Sequence, residues 1–439
     1  MQRKALAQLL DWKKSPRRKP LILKGARQVG KTWLMKEFGR LNYEKAFYFS
    51  FEREEELFHI FEKNKDPLRI IDQLGTIYND KIEPEKHLII FDEIQECPKA
   101  LNSLKYFNEE ANEFHIIAAG SLLGTLLAES MSYPVGKVNL LDIYPMDFEE
   151  FLEAVEPSLL NYIEQTSPDE IIEIQHTKLI EHYHNYLIIG GMPECVSCWV
   201  NEKNSGIVAE IQKELINLYE NDFAKHNKKV NAARILLVFR SLVSQLSKEN
   251  EKFIYGCVKQ GARAREFEES IEWLVSSGIV LRVYDVTKPE HPLKAFEDFS
   301  SFKLFFFDVG LLKYAAGVSN KDIILDMGFQ FKGALTENYV LQQLIPQFDV
   351  KPHYYSPSQN YEIDFLLQNE SDIIPVECKA GKNTISASFK RYRNEQNPNF
   401  AIRFSELPYK KQEDMLNVPL YLAGQIKKFG VEKRAQIGN

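Results

Sequence analysis

A glycine-rich stretch near the start of the chain has the residue types and spacing of a phosphate-binding loop. Residues 25–32 read GARQVGKT, which is the full G-x-x-x-x-G-K-[ST] pattern. The glycines let backbone amides approach phosphate oxygens, the lysine neutralises phosphate charge, and the threonine hydroxyl is a ligand for Mg²⁺. The residues expected to bind the phosphates of ATP are Gly25, Ala26, Arg27, Gln28, Val29, Gly30, Lys31 and Thr32.

Two adjacent carboxylates farther along the chain are candidates for the metal-binding and water-activating groups that hydrolysis at a phosphate-binding loop requires. Residues 87–93, HLIIFDE, are an apolar run that ends in Asp92 and Glu93. We expect Asp92, with Thr32, to hold Mg²⁺ and Glu93 to polarise the attacking water. Ser121 follows another apolar run and is expected to sense the γ-phosphate or to position the water. The pattern predicts ATP hydrolysis with ATP and Mg²⁺ as cofactors, and with catalytic roles for Lys31, Glu93 and Ser121.

A second group of charged residues, near the end of the chain, has the spacing of a metal-dependent nuclease. Asp364 is followed thirteen positions later by Glu377, and Lys379 comes after one further residue. The two carboxylates would hold a second Mg²⁺ or Mn²⁺, and the lysine would stabilise developing phosphate charge. Glu337, on an amphipathic helix predicted over 332–344, would complete the site. The alternative interpretation is a solvated sheet face with weak ion pairs.

The elements predicted around the first group alternate between strand and helix. Apolar runs at 20–24, 46–50, 87–93 and 114–118 predict strands that are separated by helical stretches. This alternation predicts an α/β fold, a P-loop NTPase domain over 1–147 with a parallel sheet. Its ligand would lie at the carboxyl ends of the strands.

Longer stretches of the sequence resemble the bacterial AAA-type ATPase family that carries an uncharacterised C-terminal domain. The stretches are GARQVGKTWL, FDEIQECPKALNSLKYF, AAGSLLG, YPMDFEEFL, YLIIGGMPECV and KLFFFDVGLL. The resemblance covers about Lys4 to Ala401 and implies a AAA+/STAND-like nucleotide-binding domain that hydrolyses ATP. This chain has Lys137 after Gly136, where many relatives have arginine, and lysine lacks the bidentate geometry of arginine.

Two regions are predicted between the phosphate-loop residues and the nuclease-type residues. Residues 148–221 have apolar residues at helical spacing and predict a helical lid, which breaks at 190–193 in either a hinge or a tight turn. Residues 222–300 read as three helices and a strand, a pattern that resembles a winged helix. The third helix carries glutamates that would repel phosphates, which favours a protein contact or a structural role over DNA binding. They are Glu266, Glu268, Glu269 and Glu272.

The C-terminal region, 301–439, is predicted to be a further α/β domain. YEIDFLLQ and IIPVECKA alternate as strands do, each with its charged residues on one side. This arrangement resembles the PD-(D/E)XK nuclease fold, and Asp364, Glu377 and Lys379 match its motif. Fold and activity are separate expectations, because a fold can persist after its chemistry is lost.

Composition narrows the classes of partner and compartment. The net charge of −7 over 439 residues argues against a purely electrostatic nucleic-acid binder. Residues 379–439 nevertheless hold 8 Lys and 4 Arg against 4 Glu and 1 Asp, so this region is either a phosphate-facing or a solvated basic surface. The absence of a membrane-length apolar run or a signal core predicts a cytoplasmic location without membrane contact. Five cysteines fit a reducing compartment, and Cys195 and Cys198 lack further zinc ligands nearby.

Three functions therefore stand beside one another. The first is ATP hydrolysis coupled to an unidentified action of the nuclease-like domain, with nucleic acid as a candidate substrate. The second is an ATP-gated, metal-dependent nuclease. The third is a non-enzymatic nucleotide switch that binds a protein partner, and slow turnover would distinguish it from the first. AAA-type ATPases often form rings with an arginine supplied in trans; no such arginine is identified in this sequence, so the oligomeric state stays open.

Overall fold

The structure is a computed structural model in which the chain forms two compact units. It describes residues 2–54, 56–120, 136–225, 229–248, 252–325, 328–382, 385–412 and 415–429. The first unit comprises Gln2–Tyr144 and the short segment Ser276–Ile279, and the second comprises Pro145–Val275 and the chain from Val280 onward. The finer division into four regions stays a prediction.

The first unit is built on a five-stranded sheet in which every neighbouring pair is parallel. The strands are β1 (Leu21–Lys24), β2 (Lys45–Ser50), β3 (His87–Asp92), β4 (His115–Ala119) and β5 (Asn139–Asp142), in the order β2-β3-β4-β1-β5. The helices are α1 (Ala5–Lys14), α2 (Lys31–Asn42), α3 (Leu57–Glu62), α4 (Pro67–Ile77) and α5 (Pro98–Glu110). The predicted α/β fold with a parallel sheet is confirmed, and β5 is an additional strand that the apolar runs did not indicate.

The central strands of this sheet are mainly apolar, as is usual where helices cover both faces of a parallel sheet. Strands β3 and β4 are buried along almost their whole length. One face packs into a core of aliphatic and aromatic residues that includes Ile22, Phe49, Ile89, Phe91 and Ile116. Since all the strands run the same way, their carboxyl ends share one edge of the sheet. This brings the loop after β1 and the acids that end β3 to the same edge.

The second unit is organised around an eight-stranded mixed sheet of order β12-β13-β11-β10-β9-β8-β6-β7. The strands are β6 (Val280–Val286), β7 (Glu297–Phe306), β8 (His353–Ser358), β9 (Tyr361–Asn369), β10 (Asp372–Cys378), β11 (Ala401–Ser405), β12 (Lys410–Lys411) and β13 (Met415–Pro419). Strands β9 and β10 form an antiparallel pair, whereas β10, β11 and β13 run parallel. The antiparallel pair of β6 and β7 joins this sheet through Asp285, which pairs with Tyr354.

Helices make up most of the rest of the second unit. They are α6 (Phe148–Val155), α7 (Pro157–Gln165), α8 (Glu173–Ile189), α9 (Pro193–Glu202), α10 (Ser205–Lys225), α11 (Lys229–Leu246), α12 (Tyr255–Val258), α13 (Ala264–Ser276), α14 (Val309–Ala315), α15 (Asn320–Ile324), α16 (Lys332–Leu344) and α17 (Ala387–Gln396). Helix α16 has the predicted bounds. Helices α11 to α13 followed by β6 reproduce the predicted order of three helices and a strand, while the winged-helix assignment itself stays a prediction. None of the described helices is long and apolar enough to cross a membrane.

The break at residues 190–193 is a tightly packed turn between α8 and α9. Gly191 N donates to Asp308 Oδ2 at 2.6 Å, and Gly191 O accepts from Met146 N at 2.7 Å. A Cβ atom on Gly190 would lie 2.2 Å from Asp308 Oδ1, and one on Gly191 would lie 2.0 Å from Met146 O. Burial raises the pKa of Asp308 to about 6, although backbone amides that donate to it act in the opposite direction. These contacts favour the turn over the hinge, because a hinge at this position would break buried hydrogen bonds.

Candidate functional site

The predicted phosphate loop connects β1 to α2 and is held in a conformation that needs its glycines. Gly25 has φ +141°, and a Cβ atom there would lie 2.1 Å from Ile143 O. Gly30 immediately before α2 has φ +92°, and Gln28 is a non-glycine residue with φ 65°. Left-handed backbone at Gln28 costs free energy, and such strain is concentrated at functional sites. The loop thus leads directly into a helix N-terminus, where unpaired amides favour anions.

Two features that the sequence did not indicate support this loop from within the first unit. Arg3 is buried, and its guanidinium donates to Val29 O at 3.0 Å and to Tyr144 O at 2.8 Å. Gly278, in the segment Ser276–Ile279, has φ +76°, and a Cβ atom on it would lie 3.2 Å from Ala26 N. Arg27 lies 3.9 Å from Glu52 in an open ion pair. The backbone of the loop is therefore packed against Arg3 and Gly278, whereas the side chain of Arg27 is partly exposed.

Lys31, the first residue of α2, is folded back onto the loop. Its side chain is buried, and Nζ donates to Gly25 O and to Ala26 O, at 2.8 Å each. Burial lowers the pKa of Lys31 to about 8, while the nearby Glu93 and Asp92 carboxylates raise it. Phosphate oxygens would give this ammonium a counter-charge that two carbonyl oxygens do not supply. The residue types and their geometry therefore fit the triphosphate of a nucleotide.

Asp92, the last residue of β3, receives three hydrogen bonds. Thr32 Oγ1 donates to Asp92 Oδ2 at 2.7 Å, Tyr48 Oη donates to the same oxygen at 2.8 Å, and Glu93 N donates to Oδ1 at 3.2 Å. Mg²⁺ in nucleotide sites takes one or two protein oxygens and completes its shell with phosphate and water. A threonine hydroxyl held against a buried carboxylate is a donor set that fits this ion.

Tyr48 was missed at the sequence level, although a signal for it exists. In β2 the residues Phe47 and Phe49 are buried on one side, and Tyr48 and Ser50 alternate with them. In the parallel pair of β2 and β3, Ser50 lies opposite Asp92. Strand alternation combined with that register would have placed Tyr48 on the same side as the acid.

Glu93 follows β3 and has an unusual backbone. Its φ of 49° and ψ of 46° are left-handed, and its Oε2 accepts from Gln95 Nε2 at 2.6 Å. Gln95 is a second residue that the motif did not reveal. Glu93 is thus a hydrogen-bonded glutamate with a left-handed backbone next to Asp92, and its expected role in activating water stays a prediction.

Two further sequence-level expectations concern residues around this site. Lys137, at the position where many relatives carry arginine, forms an ion pair of 2.8 Å with Glu109 of α5. Both side chains are partly exposed, so this pair contributes little to stability. Ser121, expected to act as a sensor, lies outside the described residues, and its role stays a prediction.

The second unit brings the other predicted residues together. Val376 of β10 lies opposite Phe365 of β9, so Glu377 and Asp364 occupy the next position of the ladder. Asp364 Oδ2 accepts from Cys378 N at 2.6 Å, and Lys379 Nζ lies 2.6 Å from Glu377 Oε1. Glu337 approaches from α16, within electrostatic reach of both acids.

Charges not included in the motif complete this C-terminal carboxylate cluster, which we define as Glu337, Glu362, Asp364 and Glu377 with Lys303 and Lys379. Lys303 Nζ lies 2.5 Å from Glu362 Oε1 and 3.6 Å from Glu337 Oε2. Burial, followed by the charges of Glu377 and Glu337, raises the pKa of Asp364 well above its usual value. Burial also raises the pKa of Glu362 and of Glu377. Raised pKa values of this kind, caused first by burial, are frequent among the carboxylates of functional sites.

The fit of this cluster to a divalent metal rests on buried carboxylate oxygen atoms that accept no hydrogen bond. Glu337 Oε2, Glu362 Oε2 and Glu377 Oε2 are buried and accept no hydrogen bond. Among the described residues no group of three or more His, Cys, Asp or Glu side chains is arranged around a common metal position. A Mg²⁺ site built on two carboxylates, with water and phosphate as the other ligands, does not need such a group. The cysteines Cys195 and Cys198 are buried and free.

Three family models match separate parts of the chain. Residues 17–152 match the model of a family described as an AAA domain. Residues 180–322 and 332–422 match two models that are each described as a domain of unknown function, DUF8612 and DUF4143 respectively. No curated protein matches the chain.

Several solved structures are similar to parts of the chain at low sequence identity. Aeropyrum pernix ORC1 in complex with DNA is 11% identical, with 72% of this chain and 91% of that chain covered and a TM-score of 0.29. A STAND protein from Pyrococcus horikoshii with a tetratricopeptide repeat sensor is 12% identical, with coverage of 80% and 46% and a TM-score of 0.29. The Thermotoga maritima RuvB branch migration motor is 13% identical, with coverage of 64% and 88% and a TM-score of 0.28. Similarity at these TM-scores supports no argument.

The family match and the parallel sheet agree with the expectation drawn from the phosphate loop. The predicted nuclease-like and winged-helix regions fall within domains whose function is not described, so they stay predictions. The N-terminal part of this chain, residues 17–152, is thus similar to a family of AAA domains, and it carries its phosphate-loop motif on a parallel α/β sheet.

Proposed function

We propose that the first unit binds ATP and hydrolyses it with Mg²⁺. The observation that carries this proposal is the hydrogen bond of 2.7 Å between Thr32 Oγ1 and Asp92 Oδ2, beside a buried Lys31. A hydroxyl and a carboxylate that already face one another need little rearrangement to hold a metal ion. Preorganisation of this kind lowers the cost of binding.

The roles of the residues follow from their present contacts. Lys31 exchanges two loop carbonyls for phosphate oxygens, so its ammonium gains the negative charge that it lacks. The hydroxyl of Thr32 continues to donate its hydrogen bond to Asp92 and offers a lone pair to Mg²⁺. Tyr48 holds the same carboxylate oxygen of Asp92 in place. Glu93, supported by Gln95, accepts a proton from the attacking water. Mg²⁺, when bound, supplies positive charge to the phosphate oxygens.

Phosphate release measured with ATP tests this proposal. We expect turnover in the presence of Mg²⁺ and its loss when EDTA removes the metal, because Thr32 and Asp92 then no longer engage the phosphates through the ion. Equal release with and without EDTA would show that the Thr32–Asp92 pair does not serve a metal-dependent reaction.

A second candidate function is metal-dependent cleavage of nucleic acid by the second unit. The observation that favours it is the C-terminal carboxylate cluster, in which Lys379 pairs with one oxygen of Glu377 while the other has no partner. Asp364 and Glu377 would hold a Mg²⁺ or Mn²⁺ ion, and Lys379 would stabilise charge on a scissile phosphate. The basic residues that follow residue 379 would favour approach of the substrate backbone.

This candidate is tested by cleavage of single- and double-stranded DNA and RNA with Mg²⁺ or Mn²⁺, with and without ATP. We expect Lys379→Ala to lose cleavage by about 100-fold or more, since it removes charge stabilisation at the phosphate. The exposed Lys213 of α10, which lies outside the basic region after residue 379, provides the matched control, and Lys213→Ala should cleave as wild type does. Comparison with Lys31→Ala shows whether ATP controls the reaction.

The outcome decides between cutting and another action. Absence of cleavage under every condition, in a protein that still hydrolyses ATP, would remove the nuclease function. The proposed ATPase would then be coupled to binding by the second unit, with nucleic acid or a protein as the partner to be tested.

A further inference from the structure

Lys303 is a buried lysine inside the C-terminal carboxylate cluster, and the nuclease-type motif does not include it. Its side chain on β7 is fully buried. Its Nζ lies 2.5 Å from Glu362 Oε1 on β9 and 3.6 Å from Glu337 Oε2 on α16. A fully buried ammonium is costly unless carboxylates compensate it, and these two glutamates do so. Lys303 therefore supplies fixed positive charge to one side of the cluster.

The other side of the cluster is undercompensated. Lys379 Nζ pairs with Glu377 Oε1, but Glu377 Oε2 has no hydrogen-bond partner although the side chain is only 4% exposed. Asp364 lies at the same position of the ladder on β9 and accepts one backbone hydrogen bond, from Cys378 N. With all groups ionised, four carboxylates face two ammonium groups, so the cluster lacks two positive charges. One divalent cation supplies that number.

We propose that Lys303 is a built-in cation that limits the C-terminal carboxylate cluster to one divalent metal ion, held by Asp364 and Glu377. The proposal rests on the metal-dependent function proposed for this cluster. Two-metal sites hold their ions about 4 Å apart and need carboxylates for both. Glu337 and Glu362, which would serve a second ion, already share the one positive charge of Lys303, so only half of their negative charge remains for such an ion. A second divalent cation next to that ammonium would be repelled.

The proposal is tested by counting the Mn²⁺ ions bound per chain, from the free Mn²⁺ signal in electron paramagnetic resonance titrations. Every sample is the full chain without nucleotide and carries Asp92→Asn, so that the phosphate-loop acid does not contribute. We expect one Mn²⁺ in this background and none after Asp364→Asn. Lys303→Met removes the ammonium, and we expect two ions. Lys303→Arg keeps the positive charge and should bind one.

The outcomes distinguish the role of Lys303 from the existence of the metal site. Two ions with Lys303 intact, or a single ion in folded Lys303→Met, would overturn the role of Lys303 while leaving the metal site in place. No ion with Lys303 intact would remove the metal site itself. Lys303→Met loses a buried charge, so its folding is checked by circular dichroism. Lys303→Gln, which keeps a hydrogen-bond donor near Glu362, is the second neutral variant and is also expected to bind two ions.

Discussion

Lys31→Ala is expected to weaken ATP binding by about 100-fold or more and to reduce hydrolysis below detection. The variant removes an ammonium that is buried at the loop and whose hydrogen bonds are now made to Gly25 O and Ala26 O. Hydrogen bonds from charged groups contribute roughly 1.5–3 kcal/mol each, and a difference of about 1.4 kcal/mol is tenfold in affinity. Two such bonds to phosphate oxygens account for the expected loss. The measurements are equilibrium ATP binding and steady-state phosphate release.

Lys14→Ala on α1 is the matched control, because Lys14 is an exposed lysine of the same unit. It should bind and hydrolyse ATP as wild type does. Unchanged ATP turnover in Lys31→Ala would contradict the assignment of this loop as the nucleotide site.

Glu93→Gln is expected to bind ATP with nearly wild-type affinity and to hydrolyse it about 100- to 10,000-fold more slowly. This range is what general acid–base groups contribute. Glutamine can still accept a hydrogen bond from Gln95, so the local structure is preserved while the ability to take a proton from water is lost. The two variants therefore separate binding from chemistry: Lys31→Ala loses both, and Glu93→Gln loses only hydrolysis.

Glu96→Gln is the control for Glu93→Gln, since Glu96 is exposed and lies three residues farther along the chain. Its binding and turnover should match those of wild type. Wild-type turnover in Glu93→Gln would assign activation of the water to another residue.

Most of the phosphate site could be predicted because its chemistry is local in sequence. The motif places Lys31 and Thr32 next to one another at the start of a helix. The apolar run before Asp92 indicates a strand whose carboxyl end lies at the same edge of the sheet as the loop. Its supports could not be predicted in the same way. Arg3 reaches Val29 and Tyr144 from the start of the chain, and the 141 positions between Arg3 and Tyr144 carry no pattern that links them.

In the C-terminal carboxylate cluster, too, residues close in sequence could be predicted and a residue distant in sequence could not. Asp364, Glu377 and Lys379 lie within one hairpin, so strand alternation was enough to place them side by side. Lys303 is 59 positions from its partner Glu362. It stands at the start of an apolar run, where a lysine is usually interpreted as the exposed end of a strand. Its full burial depends on tertiary packing. The short strand β5 was overlooked because its four residues alternate between half-buried and exposed and form no apolar run.

The most direct measurement is a single-turnover experiment in which protein in excess over ATP is quenched after mixing with Mg²⁺, and the bound nucleotide is identified. We expect wild type to hold ADP and Glu93→Gln still to hold ATP after the same time. Unconverted ATP in both proteins would contradict hydrolysis and favour a nucleotide switch, in which occupancy alone changes partner binding.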